Sequence, residues 1–224
     1  LSDLAAARGL RLLFEGVTMD GCPVYNLAAR CLPGTRVLGI SGVLNSTTNY
    51  LLDAMAEGRA FDEALAWVQA EGFAEADPSH DIDGLDAASK TAALANVLMD
   101  ARITPADVPR ESIRAVGAER IAAVRAAGRR LRVVCEAEVA EGAERLPLLG
   151  APHEPAAEPP AVSAAVRLVE VDADHPFFAV GGSMSTVIIR TDLTGEVQVV
   201  ERDALLTQTA YALYSDLLAL YADL

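Results

Sequence analysis

Basic side chains are scarce in this sequence: 18 Lys and Arg stand against 32 Asp and Glu, a net charge of -14. Nucleic acid and anionic membrane surfaces both need a basic footprint, so neither is expected as a partner. Long apolar runs are missing too. Hydrophobic residues make up 52% of the chain, but much of this is alanine, and no stretch reaches the roughly 18 residues of a membrane span. The N-terminal LSDLAAARGLRLL lacks the basic start and unbroken apolar core of a signal peptide. Cysteine is limited to Cys22, Cys31 and Cys135, with no CxxC pair, which points to a reduced, cytoplasmic setting and to small buried hydrophobes. His80, His153 and His175 show no ligand spacing and read as loop residues. No GxGxxG follows a strand, and no GxxxxGK precedes a Ser or Thr. If a nucleotide cofactor is used, the part that grips its phosphates is not in this chain.

Periodicity divides what is present. Residues 2–8 read as a short helix closed by Gly9, and LRLLFEGV (10–17) as a strand. After a turn at Gly21 and Pro23, residues 27–32 resume as helix, and RVLGISGV (36–43) reads as a buried strand. TTNYLLDAMAEG and FDEALAWVQAEG are amphipathic helices stopped by Gly58 and Gly72, the first with Thr47 or Thr48 as N-cap. LDAASKTAALANVLMDA is a run of good helix formers, and AERIAAVRAAG is a further helix. RLRVVCEAEVA (130–140) alternates as a half-buried strand should. Pro147, Pro152, Pro155, Pro159 and Pro160 mark residues 141–163 as a long, mobile connection. AVRLVEV (165–171) is a strand, STVIIRTDLTGEVQVV a hairpin with Gly195 at positive φ, and LLTQTAYALYSDLLALY a closing helix. Strands on both sides of a helical block predict an α+β domain, a mixed β-sheet covered by helices on one face.

Charge concentrates in GFAEADPSHDIDGLDAASK (72–90), a loop between two helices and the kind of segment that carries function. Asp86 and Lys90 are spaced i, i+4, so they share one helix face. An ordinary helix ion pair explains that spacing as well as catalysis does, although the helix around Lys90 is mostly Ala, Leu and Val. Asp77 and Asp83 suit capping of the turn and of the next helix.

GISGVLNSTTNYLLDAM, followed by F-x-EAL and EGFAEADPSHDIDGLDAASK, resembles the catalytic region of homoserine dehydrogenases. FEGVTMDGCPV (14–24) and the stretch from HPFF to TAYALYSDL are similar to other parts of that family, so the likeness runs over nearly the whole chain. It implies a domain like the C-terminal domain of glyceraldehyde-3-phosphate-dehydrogenase-like oxidoreductases. It also implies that residues 1–224 form the catalytic, substrate-binding and dimerisation domain of a larger protein, whose N-terminal Rossmann domain lies outside them. The implied reaction is reduction of L-aspartate 4-semialdehyde to L-homoserine with NAD or NADP, on the route from aspartate to threonine, methionine and isoleucine. The implied partners are a small amino-acid substrate and a second copy of the chain.

By the same resemblance Lys90 handles the proton, Asp86 sets Lys90, and Glu75 holds the substrate ammonium. Asp81, Asn45, Thr47 and Thr48 line the substrate pocket. The backbone carbonyls of Glu15, Thr18, Asp20 and Cys22 match a site for a monovalent cation such as sodium. Three positions and one loop depart from the family pattern: Phe73 for tyrosine, Ser46 for glycine, Ser185 for asparagine, and Glu201–Leu205 for a Gly-rich loop before the last helix. These departures motivate a second reading, a non-catalytic homologue kept for dimerisation or amino-acid binding. A third, a semialdehyde dehydrogenase with a cysteine thioester, needs an activated thiol, and no cysteine has that setting.

Overall fold

The computed structural model describes residues 2–142, 146–151, 158–202 and 204–222. Five strands, β1 (Val37–Val43), β2 (Arg130–Val139), β3 (Val162–Val171), β4 (Ser185–Thr191) and β5 (Gly195–Glu201), form one sheet in the order β3-β2-β1-β4-β5. The helices are α1 (Ser2–Ala7), α2 (Val24–Cys31), α3 (Ser46–Ala56), α4 (Phe61–Ala70), α5 (Ser79–Ile82), α6 (Leu85–Met99), α7 (Ala118–Ala126) and α8 (Leu206–Ala222).

The class is α+β, as expected, but every strand pair is antiparallel rather than mixed. The parallel contact among the described residues is an isolated bridge between Arg110 and Val166. Gly42 pairs with Cys135, so the helical block leaves β1 and re-enters as β2 at the same end of the sheet. A block that starts and finishes at one end reverses the chain, whereas a parallel pair needs a crossover to the other end.

Strand alternation sorts the sheet into two faces. Leu131, Val133, Cys135 and Ala137 of β2 join Val37, Ile40, Val187 and Ile189 under the helices, against Leu51, Leu52 and Met55 of α3 and Ala88, Ala92, Ala95 and Leu98 of α6. Each buried Leu or Ile contributes about 2 kcal/mol. The alanines of α6 let its backbone approach the strands, which brings Lys90 close to β1. On the opposite face Val43, Val134, Val171 and Ile188 are covered by Phe177 and Val180.

Other differences from expectation have local causes. Residues 10–17 form no strand; a 3-10 turn occupies Glu15–Val17. The buried carboxylate of Glu15 accepts the backbone N–H groups of Tyr25 (2.7 Å) and Asn26 (3.0 Å). These bonds fold the segment against α2, which itself starts at Val24 rather than at residue 27. The N-cap of α3 is Asn45, not a threonine. Residues 143–145 and 152–157 of the expected mobile connection lie outside the described residues, as does Asp203 in the loop after β5. The piece 146–151 is docked: Leu149 exchanges 2.9 Å backbone bonds with Gly34 and Thr35, and a Cβ at Gly150 (φ +73°) would lie 2.5 Å from the Ala29 carbonyl.

Candidate active site

Asn45 is the organising residue. Its Oδ1 accepts the Thr48 N–H at 2.8 Å and caps α3. Capping uses the oxygen and leaves the amide NH2 free to donate. It gives one bond to Asp81 Oδ1 at 2.7 Å and another to Asp86 Oδ2 at 2.9 Å. Asp81 comes from α5 and Asp86 from the first turn of α6, whose start is Gly84 with φ +74°. A side chain there would be strained, and its Cβ would lie 3.3 Å from the Glu111 carbonyl.

Lys90 lies one turn after Asp86, with Nζ 3.0 Å from Asp86 Oδ2. The same ammonium donates to the Leu44 carbonyl at 2.8 Å. Two of its three protons are thereby held, and one remains for a ligand. Asn45, Asp81, Asp86 and Lys90 line a cleft of about 180 Å³ together with Asp20 and Ser185. Three carboxylates against one ammonium leave this cleft net negative, which suits a ligand that carries a cation.

The cleft opens beside a wider groove of about 1170 Å³ that Glu75 lines with Phe73, Asp77, Asp81 and Asp86. Glu75 itself is exposed. Its backbone is held by Gln69, whose Nε2 donates to the carbonyls of Glu75 (3.0 Å) and Ala76 (3.2 Å). Phe73 stacks on Tyr50 with ring centroids 4.0 Å apart and planes 2° from parallel, and its carbonyl accepts Thr47 Oγ1 at 3.3 Å. Thr47 lines both spaces. Thr48 is buried behind them, its hydroxyl on the Asn45 carbonyl at 3.0 Å. Asp77 accepts the Ser79 N–H at 3.1 Å and so caps the turn. Asp83 does not cap α6; it accepts Ser112 Oγ at 2.9 Å and faces Arg114.

The residues of the expected cation turn meet three elements. Glu15 is tied to α2, Asp20 (φ +39°) accepts Thr209 Oγ1 of α8 at 2.8 Å, and the Gly21 N–H donates to Glu201 of β5 at 3.1 Å. A Cβ at Gly21 would lie 2.7 Å from the Gln208 carbonyl, so α8 is seated directly on the turn. Burial raises the carboxyl pKa of both Glu15 and Glu201, although the N–H donors around each act the other way. Burial, with Glu201 and Glu15 nearby, pushes the Cys22 thiol up to about 11, and burial does the same to Cys135. Neither is a thiolate near neutral pH, which argues against thioester chemistry. Among the described residues no group of three or more His, Cys, Asp or Glu is placed to hold a metal ion.

A third cavity, of about 450 Å³, lies where α3 and α7 end against β2, and it holds none of the expected residues. Beside it the Arg132 side chain, 1% exposed, pairs with Asp53 at 2.9 Å. Sequence reasoning missed the Leu44 carbonyl, Asp20 and Ser183 as cleft-lining groups and treated Ser185 only as a departure. A backbone carbonyl carries no signal in sequence, and the other three reach the cleft through tertiary contacts.

The homoserine dehydrogenase family model matches residues 23–218. An NAD(+)-dependent homoserine dehydrogenase from Pseudomonas canavaninivorans is 34% identical over 222 residues, 99% of this chain and 58% of its own length. A homoserine dehydrogenase from Synechocystis is 35% identical over 219 residues, 96% of this chain and 47% of its own. Among solved structures, a homoserine dehydrogenase from Thiobacillus denitrificans superposes with a TM-score of 0.83 at 25% identity, over 96% of this chain and 46% of that one. One from S. aureus gives 0.76 at 26% identity, over 99% and 48%. The chain thus spans about half the length of the curated relatives it matches.

Proposed function

Because the chain belongs to the homoserine dehydrogenase family, we propose that it is the substrate-side part of an enzyme that interconverts L-aspartate 4-semialdehyde and L-homoserine. The observation that carries this reading is the Asn45–Asp81–Asp86–Lys90 node, with a lysine held by two bonds in a cleft of net negative charge. NAD or NADP, when bound, supplies or accepts the hydride. The described strands pair antiparallel throughout, whereas a dinucleotide fold is built from parallel βαβ units. This supports assigning the nucleotide to a part of the protein outside these residues. The apolar side chains that α8 turns to solvent, Leu206, Tyr211, Leu213, Tyr214, Leu217 and Tyr221, support docking of such a part.

In the reducing direction Lys90 gives its free proton to the aldehyde oxygen as negative charge develops there, and in the oxidising direction it takes the proton back. Asp86 and the Leu44 carbonyl fix the position of the ammonium. Asn45 anchors Asp86 to the end of α3, so the proton donor is registered to the helix that floors the cleft. The substrate ammonium sits among Asp20, Asp81 and Glu75, and its carboxylate faces the N-terminal turn of α3 at Ser46 and Thr47.

A monovalent cation such as sodium on the carbonyls of Glu15, Thr18, Asp20 and Cys22 would offset the buried negative charge of Glu15 and Glu201, which is the feature of the turn that fits it. The reading extends to a homodimer, to a cytoplasmic setting, and to the supply of threonine, methionine and isoleucine. No described helix is long and apolar enough to cross a membrane. Glu201 is 8% exposed and turned inward, so its carboxylate does not stand in a ligand's path, which favours an active enzyme over a non-catalytic homologue. Calorimetric titration with L-homoserine tests the substrate assignment: the chain should bind it, and Glu75→Ala and Asp81→Ala should each weaken binding. A chain that fails to bind homoserine at millimolar concentration would overturn it.

A further inference from the structure

Ser185 and Glu201 are directly opposite each other across the β4–β5 hairpin, so their side chains project from the same face of the sheet. That face is the one under the helices, and Ser185 lines the small cleft together with Lys90 and Asp86. The two oxygens of Glu201 have separate partners. Oε1 accepts the Gly21 N–H at 3.1 Å, and Oε2 accepts the Ser185 hydroxyl at 3.3 Å. The second bond is long, but it is the one hydrogen bond that Ser185 Oγ makes among the described residues.

A hydroxyl has one proton and two lone pairs, and a carboxylate can only accept. With its proton committed to Glu201, Ser185 offers the cleft lone pairs alone. We propose that Ser185 contacts the substrate as an acceptor for one of its N–H or O–H groups, and that Glu201 is the positioning residue that fixes this polarity. This inference rests on the proposed amino-acid substrate and adds to it a further contact and its direction.

The Gly21 N–H makes the arrangement testable by an isosteric change. In Glu201→Gln the amide oxygen is required by Gly21, so the NH2 must face Ser185. The hydroxyl then accepts from glutamine and turns its proton toward the cleft, where it meets the ligand donor head-on. Glu201→Gln exchanges one oxygen for a nitrogen at nearly constant volume, and a thermal melt establishes that the variant is folded.

The experiment is a calorimetric double-mutant cycle on this chain with L-homoserine, using wild type, Ser185→Ala, Glu201→Gln and the double variant, with Asp81→Ala as a control. Each single variant should bind about tenfold more weakly, the worth of one hydrogen bond. The double variant should be no weaker than Ser185→Ala, since both changes remove the same contact. Two analogues identify the donor: 2-aminobutyrate lacks the hydroxyl and 4-hydroxybutanoate the ammonium, and Ser185→Ala should have no effect on the one that lacks the contacted group. Unchanged binding in Ser185→Ala and Glu201→Gln, with Asp81→Ala impaired, would overturn this inference and leave the substrate assignment standing. Fully additive losses would also overturn it. Absence of homoserine binding to wild type would overturn both. Should Glu201→Gln fail to fold, Ser185→Ala with the two analogues still decides.

Discussion

Replacing Asn45 by alanine removes three hydrogen bonds at once, and their worth follows from the geometry. The cap on Thr48 is worth about 1 kcal/mol. The bonds from Nδ2 to Asp81 and Asp86 (2.7 and 2.9 Å) are charge-assisted, but both carboxylates are partly exposed, so about 0.5–1 kcal/mol each is a fair value. The total loss is about 2–3 kcal/mol, a fall in Tm of roughly 5–10 °C for a chain of this size. Asn45→Asp separates the two functions. Aspartate caps a helix as well as asparagine does, but it exchanges the shared donor for a third carboxylate beside Asp81 and Asp86. It should therefore be as unstable as Asn45→Ala at neutral pH and should recover on acidification, because the new carboxyl, crowded by like charge, has a folded-state pKa above its unfolded one. Such a group contributes stability below its unfolded pKa and loses it as pH rises through the folded one. Urea midpoints for both variants from pH 4 to 8 are the assay. An Asn45→Asp variant as stable as wild type at neutral pH, or an Asn45→Ala variant within the error of wild type, would refute the node.

Glu15 and Glu201 both have carboxyl groups raised by burial. By the same sign rule the stability that these two carboxyls contribute is present below about 4.5, the ordinary glutamate value, and is lost as pH rises through their raised folded values; Glu201→Gln should remove its share of that loss in urea melts, and a pH dependence parallel to that of wild type would contradict it. Asp53→Ala leaves the buried Arg132 without its ionic partner, at a cost of about 2–3 kcal/mol, less than the roughly 3–5 kcal/mol of a fully buried pair because Asp53 is itself 35% exposed; a Tm within about 1–2 °C of wild type would contradict it. Gly21→Ala places a methyl group 2.7 Å from the Gln208 carbonyl, so α8 should lift from the turn and its amides should exchange faster in deuterium, with β1 and β2 unaffected.

Much of this was legible because local periodicity decides it. The Asp86–Lys90 pair follows from helical spacing alone, and the hairpin turn at Gly195 fixes the register that sets Ser185 against Glu201. The β2 run was visible from its alternation and the β1 run from its continuous apolar character. What could not be read is long-range. Asn45 bridges to carboxylates 36 and 41 residues away, and nothing near it marks those partners. The leucine-rich stretch before Glu15 has the composition of a strand, yet the buried carboxylate of Glu15 captures the α2 backbone and wins over propensity. The antiparallel sheet depended on which end of β1 the helical block returns to, a tertiary outcome that composition does not encode. That Glu75 lines the wider groove rather than the small cleft was equally hidden, because its position is set by Gln69, which anchors its backbone there.

The most direct test is the rate of NAD(P)H oxidation with L-aspartate 4-semialdehyde, measured for the protein that joins this chain to the nucleotide-binding part proposed above, with Lys90 intact and with Lys90→Ala. Turnover is expected for the first and a loss of at least about a hundredfold for the second, the range for removal of a general acid, with the fold and homoserine binding retained. A folded Lys90→Ala variant that reduces the aldehyde at the wild-type rate would contradict it.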